Sequence, residues 1–310
     1  MTPHGAGDIL GLVAREHAFV QVDVFTDRPL AGNALAVVLD GRGLANAEMQ
    51  AIAREMNLAE TTFVLPATRS ECAARVRIFT PGRELPFAGH PTLGTAWVLA
   101  SHGLVPRGTR RFALEEGIGP VPVELEGDPS QPAFVWMRQP DAVFGPEIHD
   151  RAGIARTLGV VVDDLRPGVP VHTASTGNAF LFVPLRDRAA VDRAALDPRG
   201  RPEVAAALGV FIFAIDDADG RRLYSRMFAP HAGVPEDPAT GSAGGPLGAY
   251  LVRHGLVRGS GELSLVSEQG TKMGRQGFVH IRLQARGAEA TDIRVGGGVV
   301  PVLEGRLRLP

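Results

Sequence analysis

At 310 residues, 45% of them hydrophobic, the chain can bury one large core or two ordinary ones, and two compact units are expected. Its 32 basic and 34 acidic residues leave a formal charge of −2 with no run of one sign, so nothing favours nucleic acid or an anionic membrane, and a small uncharged or anionic ligand fits better. The lone Cys72 excludes an intrachain disulfide framework or a cysteine-based zinc cluster and fits a reducing cytoplasm, while the lone Lys272, in the polar "SEQGTKMGRQG", is a poor anchor for pyridoxal phosphate.

The start, "MTPHGAGDILGLVAREH", lacks a basic n-region, and nowhere do 18 apolar residues run together, so a soluble, unexported protein is expected, with residues 1–16 a disordered extension. "HAFVQVDVFT" and "ALAVVL" then read as strands by alternation and β-branched content. "NAEMQAIAREMN" reads as an amphipathic helix with Met49, Ile52 and Met56 on one stripe and Asn46 as its N-cap. "TTFVL" and "ARVRIFT" are strands again, followed by a different kind of helix: Pro91 to Ala100 carries no charge at all. The second half offers strands in "FLFVPL", "LYSRMFA", "LSLVSEQ", "FVHIRLQ" and "DIRVGGGVVPVLEG", and a second charge-free helix from Ala243 to Val252. A helix apolar all round belongs inside a protein.

The halves repeat one another. "RIFTPGRELP" (77–86) lies on "RMFAPHAGVP" (226–235), "GHPTLGTAWVLASHGLV" (89–105) on "GSAGGPLGAYLVRHGLV" (241–257), and "GNALAVVL" (32–39) on "GNAFLFVPL" (177–185). Three matches in one order, about 150 residues apart, mean two homologous halves and not a solenoid. Each half should be a curved, largely antiparallel sheet wrapped around one buried helix, an α+β architecture. The expected division is an N-terminal lobe at 1–130 and a C-terminal lobe at 131–310, with the last strand, about 290–310, packing back on the first lobe.

The two helix starts carry the functional reading. Gly89 and Gly241 precede His90 and Ser242, which are placed at the caps, and glycine lets a ligand approach bare main-chain N–H groups. Two such starts facing across a cleft could hold one carboxylate between the halves; ordinary capping is the competing reading. His102 and His254 recur before a glycine at the helix ends and read as C-caps. The nine histidines form no His-x-x-x-His pair, so no metal is expected. Gly296 to Gly298 lacks the Lys-Ser/Thr of a phosphate loop and reads as a bulge or close packing.

"QVDVFTDRPLAGNALAVVL", "MQAIAREMNLAETTFVL", "RIFTPGRELPFAGHPTLGTA", "FAPHAGVPEDPATGSAGGPLGAYL" and "IRVGGGVVPV" resemble the PhzF phenazine-biosynthesis family, relatives of diaminopimelate epimerase and proline racemase. The resemblance runs from His17 to Gly305 and implies the two-lobed diaminopimelate-epimerase-like fold, no cofactor, a homodimer and an active site between lobes. The paired cysteines of the epimerases fall here on Ala88 and Thr240, neither of which transfers a proton from carbon, so a two-thiol racemase is excluded.

In such a family the glutamate of "NLAETTFV", here Glu60, carries a proton between substrate carbons. Taken by itself, Glu60 is merely an acid opening a strand. The resemblance also brings His90 and Asp237 into the pocket as catalytic relay groups, Asp237 pairing with His90, and Gly89, Gly241 and Ser242 as substrate-binding groups. Their bland readings are a buried bonded histidine, a turn aspartate before proline and a capping serine. The implied function is a cofactor-independent isomerase acting on a small carboxylate, similar to trans-2,3-dihydro-3-hydroxyanthranilate isomerase. A non-catalytic small-anion binder, in which Glu60→Gln and wild type are equally inert, and a thiol-free amino-acid epimerase, which would invert a stereocentre, are the alternatives.

Overall fold

The computed structural model describes residues 15–197, Arg199 and residues 207–309. The expectation of a disordered extension falls, for residues 1–14, outside the described residues; Arg15 and Glu16 already open the first strand.

The first repeat contributes strands β1 (Arg15–Val24), β2 (Asn33–Val38), β3 (Glu60–Leu65), β4 (Ala74–Phe79), β5 (Glu84–Leu85), β6 (Arg111–Glu116), β7 (Gly119–Asp128) and β8 (Gln131–Arg138), with helices α1 (Asn46–Met56) and α2 (Gly89–Ser101). After β9 (Val143–Ile148) and helix α3 (Arg151–Thr157), the second supplies β10 (Val171–Ser175), β11 (Ala179–Pro184), helix α4 (Arg188–Arg193), β12 (Gly209–Ile215), β13 (Arg222–Ala229), β14 (Val234–Asp237), helix α5 (Gly241–Arg253), β15 (Gly261–Gln269), β16 (Gly277–Arg286) and β17 (Glu289–Gly297). The chain closes with β18 (Val299–Leu309).

Pairing follows the repeat strand for strand. β1 is antiparallel to β2, β2 parallel to β3, β3 antiparallel to β4, and β4 parallel to β6, which continues antiparallel through β7 and β8. The second half makes the same sequence of pairs from β10 through β17. The fold is therefore α+β, two pseudo-symmetric lobes, each a curved, largely antiparallel sheet around one buried helix. β8, the last strand of the first repeat, and β17, the last of the second, pair with each other and fuse the two sheets.

The two strands outside the repeat are exchanged: β9 follows the first lobe but pairs with β10, and β18 follows the second lobe but pairs with β1. "DIRVGGGVVPVLEG", read as one strand, is thus two. The break is at Gly298, whose carbonyl accepts from the amides of Phe25 and Thr26, and the preceding glycines are needed for contact: a Cβ on Gly297 would stand 2.4 Å from the Phe25 ring.

Residues 89–100 and 241–252 are all buried, which is why neither stretch can carry a charge. One core joins both helices to the concave faces of both sheets. A second lies under α3 and α4, around Ile154, Leu158, Phe228 and Tyr224. Helix α1 covers a third with Met49 and Ile52 buried and Met56 half-buried, the expected stripe. Its N-cap is Ala45, not Asn46: the Glu48 carboxylate takes the Ala45 amide at 2.7 Å, while Asn46 Oδ1 accepts from Arg77 at 2.6 Å.

Candidate active site

Helices α2 and α5 meet start to start. A Cβ on Gly89 would lie 2.5 Å from the Ser242 amide nitrogen and 2.6 Å from the Gly241 carbonyl carbon, so only glycine permits this approach. A Cβ on Gly241 would strike the Phe25 ring at 2.6 Å. The caps are therefore displaced from the expected His90 and Ser242. Each helix begins at its glycine, and the N-cap positions belong to Ala88 and Thr240, the two residues aligned with the epimerase thiols. Neither gives its helix a side-chain cap. Alanine has no acceptor, and the Thr240 hydroxyl donates at 2.5 Å to Asp237 Oδ2. Uncapped N–H groups at two converging helix starts favour an anion.

Glu60 opens β3 and is 13% exposed, its Oε2 3.2 Å from Nε2 of His90 in the first turn of α2. The two atoms are close but poorly aligned for a hydrogen bond, and neither has another partner among the described residues. Burial, and then the charge of Asp237, hold the Glu60 carboxyl well above the usual glutamate range. Burial brings His90 down to about 3, against a main-chain contact at Ala34. Asp237, at the end of β14, is pushed up to about 6 by burial, and its hydrogen bonds from Thr240 and Asn33 restrain the rise. Near neutral pH the imidazole is thus uncharged and the two carboxyls compete for protons.

The expected pairing of Asp237 with His90 is not direct. The Asn33 amide stands between them, donating to Asp237 Oδ1 at 2.8 Å and to the Ala239 carbonyl at 2.9 Å, with His90 Nδ1 at 3.1 Å. Gln269 braces the other side, its amide donating to the Asp237 carbonyl at 2.7 Å and to Thr240 Oγ1 at 2.9 Å. The cleft over these groups, about 490 Å³ counting its open mouth, is lined by Glu60, His90, Asp237, Gly89, Gly241 and Ser242 together with Phe87, Phe180, Leu208, Met227 and Val234. The structure brings all six sequence-proposed site residues to one cavity.

It also adds residues that motif reading passed over, Asn33, Gln269 and Asn178, and gives Thr240, singled out only as the place of an epimerase cysteine, a bond to Asp237. Asn33 and Asn178 are the asparagines of the repeated Gly-Asn-Ala, the one signal in the sequence that could have found them. Among the described residues the cleft lining has no arginine or lysine, so within them attraction for an anion falls to main-chain N–H groups. Of the two helix-end histidines, His102 Nδ1 reaches the Val98 carbonyl at 3.2 Å, whereas His254 turns to His172 at 3.2 Å; Gly103 and Gly255 follow with φ of 67° and 63°.

The model of the family described as phenazine biosynthesis-like protein matches residues 22–305. The chain is 37% identical over 294 residues to the trans-2,3-dihydro-3-hydroxyanthranilate isomerase of Pseudomonas chlororaphis, covering 94% of this chain and 100% of that protein. It is 36% identical to an uncharacterized isomerase of Mesorhizobium japonicum, over 93% of this chain and 98% of the other. Among solved structures, the PhzF-family phenazine biosynthesis protein of Bacillus anthracis matches with a TM-score of 0.84 at 29% identity, over 94% of this chain and 99% of that one. A hydroxyproline epimerase of Agrobacterium vitis, 14% identical with a TM-score of 0.65 over 95% and 93%, shares the fold.

Proposed function

The chain belongs to the phenazine biosynthesis-like family and is an isomerase, and on that premise we propose that it moves one proton between two carbons of a small carboxylate substrate, without a cofactor, with Glu60 as the carrier. The observation that carries this reading is the buried Glu60 carboxyl, held basic and facing the orphaned His90 Nε2 beside two uncapped helix starts.

The substrate carboxylate lies against the amides of Gly89 and Gly241 and against Ser242, where developing negative charge meets fixed N–H dipoles. Ionised Glu60 removes a proton from one carbon, and the resulting acid returns it to another, so the atoms balance with no external donor or acceptor. His90, neutral, holds the carrier's proton in place between the two transfers. Asp237, fixed by Asn33 and Thr240, receives a substrate amine or hydroxyl and keeps the carbon over Glu60. Apolar walls from Phe87, Phe180 and Leu208 suit a small ring.

The substrate class is that of trans-2,3-dihydro-3-hydroxyanthranilate, a cyclic amino carboxylate. Proton NMR of that compound with the protein is the test: conversion to an isomer supports the reading, and a ligand that binds unchanged makes the protein an anion binder. Family membership supports a homodimer, and the single free thiol at Cys72 a cytoplasmic setting. Light scattering that returned a monomer at assay concentration would remove the first.

A further inference from the structure

Glu116 ends β6 beneath the start of α2 and is 5% exposed. Its Oε1 lies 2.7 Å from Thr92 Oγ1, and that hydroxyl lies 2.7 Å from the Ala88 carbonyl oxygen. A hydroxyl has one hydrogen to give. The Ala88 carbonyl can only accept, so the threonine hydrogen goes there, and the contact with Glu116 needs its hydrogen from the carboxyl. The reverse arrangement would leave two bare oxygens facing at 2.7 Å. Oε2 has no partner among the described residues, a modest cost for a neutral acid and a large one for a carboxylate.

The repeat supplies an independent argument. Arg77 corresponds to Arg226, hence Arg75 to Tyr224; Arg75 faces Glu115 across β4 and β6, and Tyr224 faces Glu268 across β13 and β15. Glu116 and Gly117 therefore occupy the positions of Gln269 and Gly270. Gln269 is the residue that clamps Thr240 at the start of α5. The second lobe fills this post with a group that cannot ionise.

We propose that Glu116 is a positioning residue held as a neutral acid, which donates to Thr92 and thereby fixes the Ala88 peptide, and with it the amides of Gly89 and His90, at the mouth of α2. It does not touch the cleft. Burial pushes its carboxyl up to about 8, opposed only by Thr92. Among the described residues no charged group bonds to it: α2 presents Thr92, β7 presents Gly119 and Gly117 packs on Pro86, while of the charged groups that share a surface hollow with it Arg77 pairs with Glu84, Arg69 with Glu71, Glu115 turns to Thr68 and Arg69, and Arg75 lies across from Glu115. The role in turnover rests on the reading of this cleft as the active site; the proton on Glu116 does not.

The test is an NMR pH titration of the Gly89 and His90 amides in the full chain, with kinetics on trans-2,3-dihydro-3-hydroxyanthranilate alongside. In wild type both amides should shift with a midpoint near 8, and in Glu116→Gln, which keeps a donor for Thr92 but cannot ionise, that shift should vanish. Glu116→Ala should lower kcat by about tenfold with little change in KM, and Glu116→Gln should recover most of it. Amides that do not titrate, or that titrate alike in Glu116→Gln, overturn the proposal. So does a Glu116→Ala variant with wild-type kcat. If wild type does not turn over the compound, the functional reading fails while the titration still decides the state of Glu116.

Discussion

As the proposed proton carrier, Glu60 faces two demands, to be basic enough to take a proton from carbon and to stay in an apolar cleft beside an incoming anion. Burial serves the first demand, since it raises the carboxyl and so makes its ionised form a stronger base. Glu60→Gln should cut kcat by about 10²–10⁴-fold, the usual worth of a positioned acid or base, while calorimetry shows binding retained. The carrier must start ionised, so kcat/KM should rise with pH through the titration of the Glu60 and Asp237 pair, whose apparent values belong to the two together. That acid limb should lie well above the ordinary 4.5 of a glutamate, and a limb near 4.5 would contradict the assignment. For stability the sign is the opposite. Asp237 binds its proton more tightly folded, at about 6, than at its ordinary 3.8, so its contribution is full below about pH 4 and is lost as pH rises to 6. Melting curves of Asp237→Asn should lack that slope. Asn33→Ala, which strips the donor from Asp237 and Ala239, should cost about 1–3 kcal/mol in a urea melt. Residues such as Glu60, His90 and Ser242 could be picked out through a motif, but nothing local marks Asn33 as the hub, because its partners are more than 200 residues away along the chain, at Asp237 and Ala239.

Among the elements, α2 and α5 were legible because their lack of charge admits only burial, and the glycines at their starts because a close approach admits only hydrogen. The capping residues were misplaced by one or two positions. Capping chemistry looks for an oxygen-bearing side chain, and here the helices start at bare glycines after Ala88 and Thr240. The absence of a cap is what leaves N–H groups for a ligand. Gly89→Ala should therefore damage both fold and site: its methyl would lie 2.5 Å from backbone that cannot rotate away. We expect a melting temperature several degrees lower and turnover below a tenth of wild type, measured by differential scanning calorimetry and NMR assay. An unchanged variant would show that the two starts are not in contact. Strands β12 and β6 to β8 had no separate place in the sequence reading; "GVFIFAI" is an unbroken apolar run, and β7 carries Pro120 and Pro122.

In the whole molecule, duplication explains the architecture and exchange completes it. The repeat pointed to two lobes, and the return of the last strand to the first lobe was expected and is seen in β18 on β1, but nothing in the repeat reveals its counterpart β9 on β10, because a pairing beyond a repeat leaves no periodic trace. The exchange makes each lobe depend on the other's chain. Truncation after Gly298 should strip β1 of one of its two neighbouring strands, leaving it only β2, and weaken cooperative unfolding of the first lobe, read by circular dichroism melts; a truncated chain melting like wild type would contradict this. A cavity built where two lobes meet can present one substrate to groups from both, with Glu60 and His90 from the first and Asp237 and Ser242 from the second. The account stands most directly on who carries the proton. With trans-2,3-dihydro-3-hydroxyanthranilate deuterated at the donating carbon, wild type should isomerise it more slowly than the protiated compound and Glu60→Gln should form almost no product. Equal rates for both isotopologues, together with undiminished turnover in Glu60→Gln, would contradict it.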